Sequence, residues 1–224
     1  MVLWCLAACL LTGVHAAWAT RLPEPDDASE LGKLPYRKLA APTRLAGLVL
    51  TAGAALVATL VVPAPARAPW LVFGSALAVL VWVDACTTWL PTRLSWPVSI
   101  ELLAAVGVSL LWAPHPGALA VRIVAGAAAA GVLFYLFWLR GGIGFGDVRL
   151  APLIGGLAAT MGLTGWFAAL LSGTAVGAVW GLIVARRHPA PGTVRGFAYG
   201  PALWVGPYIA LVWTAFTSSW TTFA

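Results

Sequence analysis

Seven acidic residues are spread through the 224-residue chain, and only three of them stand in apolar surroundings. Glu24, Asp26, Asp27 and Glu30 share the polar stretch Arg21–Arg44, where water solvates them. The others are Asp84 in Leu80-Val81-Trp82-Val83-Asp84-Ala85-Cys86, Glu101 in an apolar segment, and Asp147 in Gly141-Gly142-Ile143-Gly144-Phe145-Gly146-Asp147. A carboxylate at the centre of a spanning helix costs roughly 2.5–3.5 kcal/mol on insertion scales, so one that is kept there is a functional candidate by default. Two aspartates brought close together cannot both ionise easily and tend to share one proton. The ionised member can take a proton from water while the protonated member donates to the carbonyl of an amide. That is two-carboxylate hydrolysis, and it needs no metal and no nucleophilic side chain.

Each candidate also has a plainer reading. Asp84 alone suits a proton or ion relay, or a pair with Arg93. Asp147 alone suits the N-cap of a helix after a flexible loop. The four glycines Gly141, Gly142, Gly144 and Gly146 let the backbone turn sharply before it. A Gly-x-Gly-Asp at a membrane boundary, with a second intramembrane aspartate on the same side, is far more specific than either feature alone. Glu101 reads as structural, snorkelling to the interface or pairing with Arg93. Rival chemistry is absent: His15, His115 and His188 are far apart, and no Gly-x-Ser-x-Gly, His-Glu-x-x-His or Walker loop occurs. Cys5, Cys9 and Cys86 form neither a Cys-x-x-Cys pair nor a Cys/His cluster, so they read as small buried hydrophobes, and neither metal nor cofactor is expected.

The elements that must position these acids are membrane helices. The chain is 61% apolar and 9% charged with a mean hydropathy of +0.92, against about 45–50% and about 25% for an ordinary soluble domain. A soluble enzyme, a disordered chain and a disulfide scaffold are excluded. A spanning helix needs about 20 mostly apolar residues, and breaks by charge, proline and glycine leave eight candidates: Val2–Thr20, Leu45–Val62, Trp70–Leu90, Pro97–Trp112, Ala118–Leu139, Leu150–Leu163, Trp166–Ala185 and Gly200–Thr217. The fourth and sixth are short. The expected fold is all-α, a polytopic transmembrane helical bundle of about eight spans in one integral-membrane domain, 1–224. Closed backbone hydrogen bonding in lipid permits little else for segments this apolar. The small residues of Gly126–Gly131 suit close helix packing.

Charge sets the expected orientation. With the N-terminus outside, Arg21, Lys33, Arg37, Lys38, Arg44, Arg93, Arg140, Arg149, Arg186, Arg187 and Arg195 fall on inner connections, and only Arg67 and Arg122 on outer ones. This positive-inside asymmetry makes residues 21–44 a cytoplasmic loop. It also accounts for the net charge of +6 without a nucleic-acid partner. A competing reading takes Ala17-Trp18-Ala19 as a signal-peptide cleavage site, but no positive charge precedes the apolar run. Asp84, seven residues before Pro91, is expected roughly 10 Å inside the cytoplasmic end of its helix, with Asp147 at the same end.

Three motifs resemble those of the type IV prepilin peptidases, membrane aspartic proteases of the GxGD type. Asp84 with Leu90-Pro91 resembles the family's Asp-x6-Pro element. Gly144-Phe145-Gly146-Asp147-Val148-Arg149-Leu150-Ala151 resembles Gly-x-Gly-Asp-x-Lys-Leu-Ala. Phe197-Ala198-Tyr199-Gly200-Pro201 resembles the late Pro-Phe-Gly-Pro segment. The resemblance implies Asp84 and Asp147 as the catalytic pair. Gly144, Gly146, Pro91, Gly200 and Pro201 would be backbone support, within a peptidase core over 70–211. It implies a prepilin or pseudopilin substrate, cut between its basic leader and its apolar helix at the cytoplasmic face of a prokaryotic inner membrane, with lipid as the surrounding partner. Glu24, Asp26, Asp27 and Glu30 are candidates to meet the basic leader. Arg21–Arg44 is too short for the methyltransferase insertion of many bacterial members and has no cysteine, so N-methylation is not expected. Thr92 stands where an acidic or amide residue often follows Leu-Pro, and Ala198-Tyr199 stands in place of Pro-Phe. Two alternatives stay open. Pro201-Ala202-Leu203 also resembles the presenilin group, and a small transporter could use the same aspartates as a proton relay.

Overall fold

The computed structural model describes residues 2–23, 34–187 and 198–216. Among them every regular element is helical: α1 (Val2–Ala19), α2 (Pro42–Leu60), α3 (Arg67–Gly74), α4 (Ala76–Thr87), α5 (Thr92–Trp112), α6 (Pro116–Leu139), α7 (Phe145–Ala159), α8 (Gly162–Arg187) and α9 (Gly200–Phe216). The chain divides into two compact units, Met1–Gly107 and Val108–Ala224.

In the first unit α4 is the central element. Every side chain from Ala76 to Asp84 is buried, and α1, α2 and α3 pack around it. The outer helices stay apolar where nothing covers them: Leu3 is 80% exposed and Leu50 75%. Helices that are apolar all round suit lipid rather than water. Gly74 and Ser75 interrupt the run between α3 and α4, where the Ser75 hydroxyl donates to the Leu71 carbonyl at 2.6 Å; a Gly/Ser pair is a usual cause of such a kink. The chain before α2 forms a 3₁₀ turn, Tyr36–Ala40, which rests on α4 with Tyr36 and Leu39 buried. Glu101 on α5 does not pair with Arg93. Its carboxylate lies 3.3 Å from His15 Nε2 on α1. His15 Nδ1 faces the Leu11 carbonyl at 2.8 Å; a carbonyl only accepts, so Nδ1 donates there, and a hydrogen bond between Nε2 and Glu101 needs a second proton on one of the two.

In the second unit α6 and α7 form an antiparallel hairpin joined by residues 140–144. Their crossing uses small residues four apart, Gly126 and Ala130 against Gly155 and Ala159. A Cβ added to Gly126 would lie 2.6 Å from Ala159 Cβ and 2.9 Å from the Gly155 carbonyl oxygen. Such contacts let two backbones approach closely in lipid, as the composition of 126–131 suggests. The α8 and α9 pair closes in the same way, Gly173 lying against Ala202 and Leu203, and Gly206 against Ala169. Helix α7 also touches α8 and α9 and is buried along Ile154–Ala159.

Helix lengths correct the expected spans. Among the described residues six segments are long and apolar enough to cross a membrane, with α3 and α4 counted as one, and α9 is a shorter apolar helix. The sixth expected span is α7, with 15 residues over Phe145–Ala159 rather than Leu150–Leu163. The fourth starts at Thr92 rather than Pro97, because Pro97 sits inside a continuous helix. The third ends at Thr87 rather than Leu90.

Candidate functional site

Asp84 lies three residues before the end of α4 and is 7% exposed. The helix stops at Thr88, a β-branched residue in the left-handed region at φ 55°, whose N–H donates to the Asp84 carbonyl at 2.6 Å. Thr87 holds the turn from the other side, its hydroxyl donating to the Val83 carbonyl at 2.8 Å and accepting from the Trp89 N–H at 3.2 Å. Asp84 is therefore about one helical turn, some 5 Å, from the helix end, nearer than its spacing from Pro91 suggests. Pro91 opens the next helix, since its carbonyl accepts from the Leu94 and Ser95 N–H groups, both at 3.0 Å. Two residues before Asp84, the Trp82 indole donates to the Arg44 carbonyl at 3.0 Å. The buried carboxyl thus sits at the end of its unit that carries Arg37, Lys38, Arg44 and Arg93.

Asp147 lies in the first turn of α7 and is 8% exposed. Gly144 is the N-cap, so Asp147 is the third helical residue and not the cap; its N–H donates to the Gly144 carbonyl at 3.1 Å. A carboxylate there faces the positive end of the helix dipole. The glycines have separate reasons. Gly141 has φ +72°, its N–H donates to Trp138 at 2.8 Å, and the Gly142 N–H donates to Phe137 at 3.1 Å, a Schellman ending for α6. At Gly144 a Cβ would come to 3.6 Å from Asp147 Oδ2. Gly146, beside Asp147, is half-buried.

The family model for type IV leader peptidases matches residues 71–182, half of the chain. The chain belongs to that family. Its activity class is therefore a prepilin-type peptidase. No curated protein and no solved structure matches the chain. Both aspartates of this leader peptidase fall inside the matched residues. Gly200 and Pro201 fall beyond them, as the first two residues of α9, where a proline lacks nothing because the first helical N–H groups have no partner in the helix.

Tyr199 is the residue that the sequence under-weighted in this leader peptidase. Its carbonyl accepts from Ala202 and Leu203 at 3.1 and 3.2 Å, so it caps α9. Its ring lies against Gly177 of α8 and 6.4 Å from the Phe134 ring of α6. Burial first, then the Asp147 charge, hold its phenol above the ordinary value. The only sequence signal was a tyrosine where the resembling motif has phenylalanine. The second unit thus gathers Asp147, Gly144, Gly146, Tyr199, Gly200 and Pro201 at one end. Trp138, Phe145 and Arg149 stand beside them, Phe145 lying 5.1 Å from the Trp138 ring and 5.2 Å from the Arg149 guanidinium. An apolar cavity of about 460 Å³ opens between α8 and α9 next to Ala198 and Pro201. The first unit holds Asp84 and Pro91. Glu24, Asp26, Asp27 and Glu30 lie outside the described residues. No group of three or more His, Cys, Asp or Glu side chains able to hold a metal occurs among the described residues.

Proposed function

We propose that this protein is a membrane aspartic endopeptidase that removes the basic leader from type IV prepilins or pseudopilins at the cytoplasmic membrane face, with Asp84 and Asp147 as its catalytic pair and 70–211 as its peptidase core. One observation carries the reading. The two intramembrane aspartates are each buried within a turn of a helix end, and each stands at the basic end of its own unit. Basic ends face the cytoplasm by the positive-inside rule, and Trp138 and Phe145 suit the interface there.

In this reading the pair shares one proton. The ionised aspartate takes a proton from a water molecule as the water oxygen attacks the scissile carbonyl carbon. The protonated aspartate donates to the carbonyl oxygen. Collapse of the tetrahedral intermediate re-forms the C=O bond and breaks the C–N bond, and the leaving nitrogen takes up a proton. Gly144 and Gly146 leave room for an extended substrate strand beside Asp147, since a helical substrate hides its peptide bonds. The apolar cavity beside Pro201 suits the hydrophobic segment that follows the leader. Glu24, Asp26, Asp27 and Glu30 are the proposed counter-charges for the leader. No methyl transfer is part of the reading.

The test is cleavage of a prepilin by membranes containing wild type, Asp84→Asn or Asp147→Asn, with products identified by mass spectrometry. Wild type cuts at the leader boundary, and both variants insert but lose cleavage by several orders of magnitude. Near wild-type cleavage by either variant refutes the pair. Failure of wild type to cut any pilin-like substrate refutes the reading.

A further inference from the structure

Among the described residues of the second unit, Arg122 is the cation that stands away from the Asp147 end. It lies in the second turn of α6, about 25 Å of helix before the end at Leu139. Side chains on a helix lean toward its N-terminus, and Arg122 does so, its Nε donating to the Ala118 carbonyl at 3.4 Å. That bond is longer than the usual range of about 2.7–3.2 Å. The two terminal nitrogens have no acceptor among the described residues. Asp147 is the only acidic residue in 108–224, so this unit offers Arg122 no carboxylate at its own end. Arg67, the other arginine expected on the outer side, is used by the fold: it donates to the Val62 carbonyl at 2.9 Å and to the Leu60 carbonyl at 3.4 Å, where α2 ends.

Arg122 borders a cavity of about 250 Å³ where α6 meets the end of α7 and the start of α8. Apart from the guanidinium the lining is small or apolar, with Ala125, Ala129, Gly162, Leu163 and Trp166 in it. The groove exists because Ala125 and Ala129 follow Arg122 on one face of α6 and carry nothing beyond Cβ. Trp166 is a fixed wall. Its indole N–H donates to the Gly126 carbonyl at 3.1 Å, and its ring meets the Phe167 ring at 5.0 Å. Ala125, Ala129 and Leu163 are exposed, so the groove opens on the side that an apolar helix gives to lipid. Asp147 lies twelve residues before Ala159 on α7, about 18 Å away, so this cavity is separate from the candidate catalytic end.

We propose that this groove holds an anionic phospholipid, its phosphate on the Arg122 guanidinium and one acyl chain along Ala125, Ala129 and Leu163. Two demands in one place define the occupant. A guanidinium with open N–H groups suits an oxyanion, which it takes with two parallel hydrogen bonds. An apolar channel beside it suits a hydrocarbon chain, which a free phosphate ion does not supply. A headgroup of net negative charge is favoured over a zwitterionic one, because this end of the unit has a cation and no carboxylate to receive an ammonium group. In the orientation proposed above the lipid belongs to the outer leaflet. It fills the gap that small residues leave between α6 and the start of α8. The site is independent of the chemistry at the two aspartates.

The test equilibrates the detergent-purified protein with phosphatidylglycerol and phosphatidylcholine carrying the same chains. Bound lipid is read by native mass spectrometry, and protection by the thermal unfolding temperature, which a ligand of the folded state raises. Wild type is expected to retain phosphatidylglycerol in preference and to be protected by it. Arg122→Gln is expected to raise the half-saturating concentration of phosphatidylglycerol about tenfold and to leave the phosphatidylcholine response unchanged. Arg122→Lys, which keeps the charge without the fork, should fall between the two. Ala129→Phe fills the groove and leaves the guanidinium, and is expected to lose retention of phosphatidylglycerol. Equal retention of the two lipids by wild type, or a half-saturation unmoved in Arg122→Gln, overturns the proposal and leaves Arg122 as a cation snorkelling to the interface. Undiminished retention in Ala129→Phe overturns it too, since the chain then lies elsewhere. So does protection by inorganic phosphate alone equal to that by phosphatidylglycerol, which would make the site one for a simple anion.

Discussion

The α6–α7 crossing sets where Asp147 stands, and Gly155→Ala perturbs it directly. A Cβ on Gly155 would overlap the Ala130 side chain and lie 2.6 Å from the Gly126 carbonyl oxygen. Neither obstacle is the free end of a flexible chain, so the helices must separate by about 1 Å to restore ordinary contact. Overpacking of this kind costs about 1–3 kcal/mol. Separation also strains the Trp166 indole bond to the Gly126 carbonyl, 3.1 Å long, worth about 1 kcal/mol. Replacing a mid-helix glycine returns up to about 1 kcal/mol of helix propensity. The net expectation is a loss of about 1–3 kcal/mol, read as a lowered thermal unfolding temperature in detergent together with reduced cleavage. Gly156→Ala is the internal control. Its Cβ would meet Ala127 at 3.4 Å and Ile123 at 3.5 Å, ordinary contact, so it is expected to be neutral or stabilising by under about 1 kcal/mol. Equal stability of Gly155→Ala and wild type, or equal losses at the two positions, would refute the reasoning.

Other outcomes follow from the same geometry. Thr88→Gly removes a β-branched residue from the left-handed region and should raise stability by about 1 kcal/mol; a lowered unfolding temperature would mean that the side chain supports the turn after Asp84. His15→Ala strands the Glu101 carboxyl in the α1–α5 interface and should cost about 1–2 kcal/mol, with Glu101→Gln partly restoring it; a double-mutant cycle showing no coupling would count against the pair. Changing Glu24, Asp26, Asp27 and Glu30 together to amides should raise KM for a native prepilin and leave kcat alone; unchanged cleavage would remove these acids from the substrate site.

Asp84 and Asp147 stood out as candidates because a carboxylate inside an apolar run is conspicuous against its cost, and the Gly141–Asp147 run because left-handed turns and helix starts have strong residue preferences. The all-helical class followed from apolar runs too long for anything else in lipid. What was hidden has local or long-range causes. Thr88 ends α4 in a conformation that a threonine does not advertise, so the helix was read three residues too long. Pro97 was taken as a boundary although it lies within a continuous helix, and the first turn of α7 was assigned to the loop because of its glycines. The partner of Glu101 is His15, eighty-six residues earlier, and no local pattern points to it. Tyr199 entered only as a departure from a motif, since its contacts with Gly177 and Phe134 arise from the packing of α6, α8 and α9.

The central claim is that Asp84 and Asp147 work as one pair, and proximity tests it most directly. Asp84→Cys and Asp147→Cys would be combined in a chain whose Cys5, Cys9 and Cys86 are replaced by serine, with a protease site inserted in the Ala113–His115 connection. After oxidation or a short bifunctional thiol reagent in native membranes, the two halves are predicted to stay joined on proteolysis and to part on reduction of the disulfide. A control pairing Asp84→Cys with Ala118→Cys should part in every case. If the aspartate-position cysteines separate as readily as that control, the two carboxyls do not meet and the two-aspartate account is wrong.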